Sequence, residues 1–227
     1  MKKIIFWIDD SIYMMDCVVK NLFWDLWDRN CCNRIIFAGD NFKEDGSPKL
    51  TITENDKNDF FNEMKKQFVS YCKNRADYEN DQIKLWEGKK ELFPVEPYYI
   101  DETDQDKAKK EILDFLRNDI KKESCDKIYI GLDIRLFEGD KCHKKETKTM
   151  ELFYELTEEK TVDGKEKYIV FLYSAYVNDD DVKPEWERKY KDYHKDKKDD
   201  IIPIYDRYEL VSEDIKSEDR ENFFKLF

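Results

Sequence analysis

The stretch KKIIFWIDDS, residues 2–11, decides the fold. Residues 3–8 form a nearly unbroken apolar run that ends on two adjacent aspartates, Asp9 and Asp10. Such a run is typical of a strand that is covered on both faces, as in a parallel sheet. Turn and helix-capping roles are the ordinary explanation of the two aspartates. Their place directly after a buried strand also indicates a metal site, which the rest of the sequence must support.

The composition of the chain limits its class. It has 227 residues, of which 40% are hydrophobic and 15% aromatic, enough to form a core in one large domain spanning residues 1–227. The net charge of −12 opposes non-specific binding to DNA or RNA. No stretch approaches the roughly 20 apolar residues of a membrane span, and the N-terminus lacks a signal-peptide pattern. We therefore expect a soluble, cytoplasmic protein.

The cysteines favour a reducing compartment. There are six, none of them in a C-x-x-C pair, and only two histidines accompany them. This pattern opposes a structural zinc site and predicts reduced thiols.

Apolar runs alternate with amphipathic stretches along much of the chain. Four further runs predict strands at 34–40, 127–136, 167–177 and 201–210. Helical spacing predicts helices at 11–29, 104–123, 148–159 and 212–227. Strands that alternate with helices indicate an α/β fold. We predict a doubly wound, five-stranded parallel sheet of the flavodoxin-like kind, with helices on both faces.

Two regions depart from this alternation. Residues 41–103 are polar and too long for an ordinary connection, so they are predicted to be an inserted α+β segment, with a helix at about 54–73. The segment also contains LFPVEPYYID, and its EPYYID part is an alternative to RIIFAGD as the second core strand. Residues 178–200 are almost all charged and predict an exposed helix with a solvated face.

Polar residues stand where the predicted strands end. Asp9 and Asp10 end the first strand, Asp133 lies in IGLDIRL, and Ser174 lies in FLYSAY. The last strand delivers Asp206 and Arg207. In a doubly wound sheet, ligands bind beyond the carboxyl ends of the strands. The pattern therefore predicts that carboxylates, a hydroxyl and a cation meet at one edge.

Three of these segments resemble the receiver domain of two-component response regulators. IIFWIDDS is similar to the acidic pair after that family's first strand, IYIGLDIRLFEGD to its phosphoacceptor segment, and IVFLYSAY to its fourth strand. The order of the segments and the helices between them also match. The resemblance covers about half of the chain and leaves out residues 41–103 and much of 178–200.

The resemblance implies a role for each matching residue. Asp133 would be the phosphoacceptor, and Ser174 would donate a hydrogen bond to a phosphoryl oxygen. Asp9, Asp10, Asp133 and the backbone carbonyl of Arg135 would hold Mg²⁺, a cation that prefers hard oxygen ligands. It also implies a protein partner, either a sensor kinase or a regulated effector, and leaves homodimer formation open.

One feature of the family is missing. Receivers carry a lysine at the end of the fifth strand, and IIPIYDRYEL contains none. Arg207 is the nearby cation, a few positions later than a simple alignment would place the lysine. Arginine and lysine are not interchangeable, so this substitution bears directly on whether the site is phosphorylated.

Three functions follow in order of preference. The first is an atypical response-regulator signalling protein that is phosphorylated on Asp133, which is a signalling domain rather than a turnover enzyme. The second is a phosphorylation-independent receiver-like scaffold, such as a regulatory subunit in a defence-linked or phage-linked system. The third is a metal-dependent phosphohydrolase with Asp133 or Asp9 as nucleophile.

Overall fold

The structure is a computed structural model. It describes residues 3–9, 22, 26, 34–40, 95–100, 104–118, 120, 127–134, 136, 147–160, 164, 167–174, 177, 182–193, 203–211 and 218–227. Most of the predicted helix at 11–29, all of the predicted helix at 54–73, the six cysteines and both histidines lie outside these residues. From the first of those helices the structure describes Leu22 and Leu26, which are both buried.

Six strands form one sheet in which every neighbouring pair is parallel. They are β1 (Lys3–Asp9), β2 (Arg34–Asp40), β3 (Val95–Ile100), β4 (Lys127–Asp133), β5 (Tyr168–Ser174) and β6 (Ile204–Asp206). Their order across the sheet is β3-β2-β1-β4-β5-β6. The parallel α/β architecture is therefore confirmed.

The predicted number of strands was wrong by one. The sequence predicts RIIFAGD or EPYYID as the second core strand, but both form strands, as parts of β2 and β3. β3 comes from the predicted insertion and pairs with β2 at the edge of the sheet. Without β3, the remaining order β2-β1-β4-β5-β6 is that of a flavodoxin-like sheet.

Five helices are described in full. They are α1 (Gln105–Asn118), α2 (Lys148–Glu158), α3 (Val182–Tyr193), α4 (Arg207–Val211) and α5 (Glu218–Phe224). The predictions of helices within 104–123, 148–159 and 212–227 are confirmed. Thr147 caps α2, since its side chain accepts a hydrogen bond from the Met150 backbone N–H at 3.2 Å.

The two faces of the sheet carry different cores. On one face, aliphatic strand side chains such as Ile8, Ile130 and Leu172 pack in one cluster with buried residues of α1, α2 and α3. On the other face, aromatic rings dominate, and Phe223 of α5 contacts Trp7 at a centroid distance of 6.3 Å. Both faces are covered, which explains why the strands are apolar throughout.

Gly131 of β4 makes room within the aromatic layer. A Cβ atom at this position would lie 2.6 Å from Phe171 Cζ and 3.2 Å from Trp7 Cε3. Those rings are packed edge to face, with their centroids 5.5 Å apart. The absence of a side chain at position 131 therefore lets aromatic rings from β1 and β5 meet across β4.

Two sequence predictions need correction here. The charged segment 178–200 does not present only a solvated face, because Val182, Trp186 and Tyr190 of α3 are buried against the core. The predicted strand at 201–210 ends at Asp206, and Arg207 begins α4. The Asp206 side chain accepts a hydrogen bond from the Glu209 backbone N–H at 3.4 Å, as a residue at a helix N-terminus does.

The strand order shows at which edge of the sheet a ligand would be expected to bind. The chain runs outward from β1 through β2 to β3 and then returns to the other side of β1 as β4. In such sheets the crevice between the strands at this reversal opens at their carboxyl ends. Those ends carry Asp9 and Asp133. Within the described part of the chain, no helix is long and apolar enough to cross a membrane.

Candidate functional site

Two buried carboxylates stand next to each other at the sheet reversal. β1 pairs with β4 so that Ile8 lies opposite Leu132, and Asp9 and Asp133 are the residues that follow. Asp9 is 0% exposed and Asp133 is 4% exposed. Two carboxylates this close and this buried repel each other and lose their hydration, so they require a compensating cation or proton.

Arg207 supplies positive charge to this pair. Its Nη1 atom lies 3.6 Å from Asp133 Oδ2 and 4.0 Å from Asp9 Oδ2. Its side chain is 16% exposed, so the guanidinium is partly shielded from water. Both distances are those of ion pairs that are longer than direct hydrogen bonds. Arg207 therefore joins the end of β6 to the ends of β4 and β1.

The Tyr173 hydroxyl contacts one of the two carboxylates. It is opposite Asp133 in the β4–β5 register and is fully buried. Its hydroxyl lies 2.5 Å from Ile8 O and 3.0 Å from Asp9 Oδ2, so its one proton is shared between these two acceptors. Burial raises the pKa of Tyr173 well above its usual value, and the charges of Asp9 and Asp133 raise it further. The hydroxyl therefore remains a donor at physiological pH.

The other predicted site residues fall into two groups. Ser174 is described and buried, and it lies opposite Asp206, one row beyond the row that contains Asp133 and Tyr173. Asp10 and Arg135, the two other predicted metal ligands, lie outside the described residues. The structure thus brings together Asp9, Asp133 and Arg207, and places Ser174 close by along the strand.

The donor set suits a hard divalent cation in part. Asp9 and Asp133 offer carboxylate oxygens at one edge, which is the chemistry that Mg²⁺ prefers. Among the described residues, which exclude Asp10, no group of three or more His, Cys, Asp or Glu side chains is placed to hold a metal ion. Two carboxylates at one point nevertheless fit a Mg²⁺ ion that keeps several of its waters.

Comparison of the chain with protein-family models, with curated proteins and with solved structures found no match.

Sequence reasoning overlooked Tyr173. It lies within the apolar run YIVFLYS, where an aromatic residue ordinarily belongs to the core. Its position immediately before Ser174, at the end of a strand, was the available signal. A buried tyrosine requires a partner for its hydroxyl, and the partners nearest to a strand end are the residues of the same edge.

Proposed function

We propose that this chain is a receiver-like signalling domain in which Asp133 accepts a phosphoryl group and a protein partner reads the phosphorylated state. The observation that carries the proposal is the Arg207–Asp133 ion pair, 3.6 Å between Nη1 and Oδ2, at the carboxyl edge of β4. It supplies a cation beside Asp133 in a chain that lacks the family's lysine, although Arg207 lies a few positions later in the sequence than that lysine would.

In the proposed reaction, a phosphoryl group is transferred to Asp133. A carboxylate oxygen of Asp133 forms a bond to phosphorus, while the bond from phosphorus to its donor breaks and the donor leaves with the bonding electron pair. Asp133 becomes an acyl phosphate. Catalysis of such a transfer rests on alignment and on stabilising the charge of the phosphoryl oxygens rather than on covalent help from the protein.

The residues around Asp133 can share that task. Arg207 can move from the carboxylates onto a phosphoryl oxygen, because a guanidinium binds phosphate as readily as carboxylate. Ser174 stands one row further along β5, toward the carboxyl edge of the sheet, where it could donate a hydrogen bond to a phosphoryl oxygen. Asp9, with Asp10, would hold Mg²⁺, which when bound offsets negative charge on the phosphoryl oxygens.

A phosphorylation-independent scaffold is the second candidate, and one observation favours it. Arg207 already lies within ion-pair distance of both Asp9 and Asp133, so the described site is partly neutralised without a metal ion or a phosphoryl group. In this case the arginine would keep the fold in one state, and the partner would bind that state.

A phosphorylation assay distinguishes the signalling domain from the phosphorylation-independent scaffold. The protein is incubated with Mg²⁺ and acetyl phosphate and its intact mass is measured, and its thermal stability is followed with Mg²⁺ and beryllofluoride, a phosphoryl mimic. We expect the mass of one added phosphoryl group and a stabilised fold, and neither in Asp133→Asn. Asp114→Asn, the same change at an exposed position of α1, is the control and should behave like the parent.

Other results of these assays would favour the scaffold or the phosphohydrolase. If the parent gains no mass and does not respond to beryllofluoride, the scaffold is the better account. If a generic phosphoester is hydrolysed with multiple turnovers and Asp133→Asn abolishes this activity, the chain is a phosphohydrolase and the signalling proposal fails.

A further inference from the structure

The hydroxyl of Tyr173 links two neighbouring residues of β1. It donates toward the backbone carbonyl of Ile8 at 2.5 Å and toward the carboxylate of Asp9 at 3.0 Å. A backbone carbonyl and an ionised carboxylate only accept hydrogen bonds, so the tyrosine is the donor and its single hydroxyl proton is shared between the two acceptors. The ring begins on β5 and its hydroxyl reaches β1, which is two strands away in the sheet.

The ring that carries this hydroxyl is held in place by packing. Tyr173 is fully buried, and its ring lies 4.5 Å from that of Trp7, centroid to centroid. Trp7 is in turn packed edge to face against Phe171 and Phe223. A ring fixed on its neighbours presents its hydroxyl at one position, so Asp9 meets a preorganised donor.

We propose that Tyr173 is a positioning residue that orients the Asp9 carboxylate and thereby sets the affinity of the acidic site for a divalent cation. The inference rests on the proposed function, because it assigns a divalent cation to Asp9 and Asp133. Groups that hydrogen-bond to metal ligands fix the ligand's orientation, and losing them typically lowers metal affinity about 10- to 100-fold.

The role differs from that of Arg207. The arginine brings positive charge to Asp9 and Asp133 and competes with a metal ion for the same oxygens. The tyrosine brings a neutral donor to Asp9 Oδ2, which can orient this carboxylate without adding a positive charge that competes with a cation. Loss of the hydroxyl should therefore weaken metal binding, whereas loss of the guanidinium should not.

Tyr173→Phe tests the inference, because it removes the hydroxyl and keeps the ring. The affinities of the full chain for Mn²⁺ and Mg²⁺ are measured by titration calorimetry, and phosphorylation by acetyl phosphate is measured separately from the intact mass. The matched control is Tyr129→Phe. Tyr129 is a fully buried tyrosine on β4, and its ring lies 4.5 Å from that of Phe227, centroid to centroid. Thermal unfolding of each variant shows whether it is folded.

We expect Tyr173→Phe to bind the metal at least about 10-fold more weakly than the parent. The metal affinity of Tyr129→Phe should equal that of the parent. Equal metal affinities in the parent and in Tyr173→Phe overturn it, and so does a parent that binds no divalent cation. A parent that binds metal in a Tyr173-dependent way but is never phosphorylated supports the inference and refutes the proposed function. If Tyr173→Phe does not fold, Tyr173→Met, which also lacks a donor, is measured in its place.

Discussion

Arg207 Nη1 lies 3.6 Å from Asp133 Oδ2, which joins the first residue of α4 to the last residue of β4. The ion pair crosses β5, the strand between β4 and β6. It also links the acidic site to the segment that continues into α5, whose Phe223 is buried in the aromatic layer. A change in the charge at Asp133 would therefore act directly on Arg207, the first residue of α4.

Removing the guanidinium should destabilise the fold. Arg207→Ala leaves two buried carboxylates without this cation, and breaking a buried pair from one side costs about 3 kcal/mol. Mg²⁺ should restore part of the loss, because it supplies charge to the same carboxylates. Urea unfolding with and without Mg²⁺ measures both effects. Arg188→Ala is the control, since Arg188 pairs with Glu185 and Asp192 on the exposed side of α3. An Arg207→Ala protein as stable as the parent would contradict this role.

Adding one methyl group at Gly131 should disturb the aromatic layer. Gly131→Ala would place a Cβ atom 2.6 Å from a ring carbon of Phe171, which is itself fully buried and cannot move freely. Overpacking of this kind costs about 1–3 kcal/mol. Thermal unfolding should show a lower midpoint, and Tyr173, which packs on Trp7, should lose its fixed position. An unchanged midpoint would mean that the rings across β4 are loosely packed.

The acid stability of the fold should depend on Glu159. It accepts hydrogen bonds from Arg117 Nε at 2.6 Å and Lys167 Nζ at 3.1 Å, which tie the end of α2 to α1 and to the start of β5. Burial raises the pKa of Glu159, but these hydrogen bonds outweigh burial and hold the pKa below its ordinary value of 4.5.

A lowered carboxyl pKa adds stability above pH 4.5 that is lost as the pH falls through the folded-state pKa. Glu159→Gln should therefore be less stable than the parent at pH 7, by no more than about 1 kcal/mol for a partly exposed pair. The two proteins should converge as the pH falls below 4.5. Unfolding curves across the acid range test this, and a difference that persists at low pH would assign the effect to packing.

The buried side of α3 should carry much of that helix's contribution to stability. Trp186 is 3% exposed and meets Phe153 of α2 edge to face at 5.8 Å. Trp186→Ala should cost about 3–5 kcal/mol, the range for deleting a buried large aromatic side chain. Lys191→Ala, at an exposed position of the same helix, should leave the unfolding midpoint close to that of the parent. If both changes left the unfolding midpoint equally close to that of the parent, α3 would be an exposed helix with only a solvated face, as the sequence predicts.

The central strands could be predicted because burial on both faces produces continuous apolar runs. β3 was harder to predict, because Pro97 lacks a backbone N–H and weakens a strand pattern. Its place beside β2 is at an edge of the sheet, where a proline is tolerated. The buried face of α3 was missed because charged residues surround Val182, Trp186 and Tyr190, although their spacing of four is helical.

The candidate site could be predicted only in part. Asp9 and Asp133 stand out because a carboxylate at the end of a buried strand requires a reason. Arg207 was a weaker candidate, since sequence spacing does not reveal that β6 ends at Asp206 and that a helix begins there. Tyr173 could not be assigned, because its partners, Ile8 and Asp9, are far away in the chain and meet it only through the strand order.

The proposed function is best tested by identifying the residue that carries the phosphoryl group. After incubation with Mg²⁺ and acetyl phosphate, the protein is treated with borohydride, which reduces an aspartyl phosphate to homoserine, and its peptides are mapped by mass spectrometry. If Asp133 is the phosphoacceptor, homoserine appears at position 133 in the parent and is absent from Asp133→Asn. Homoserine at another aspartate, or at no position, would contradict it.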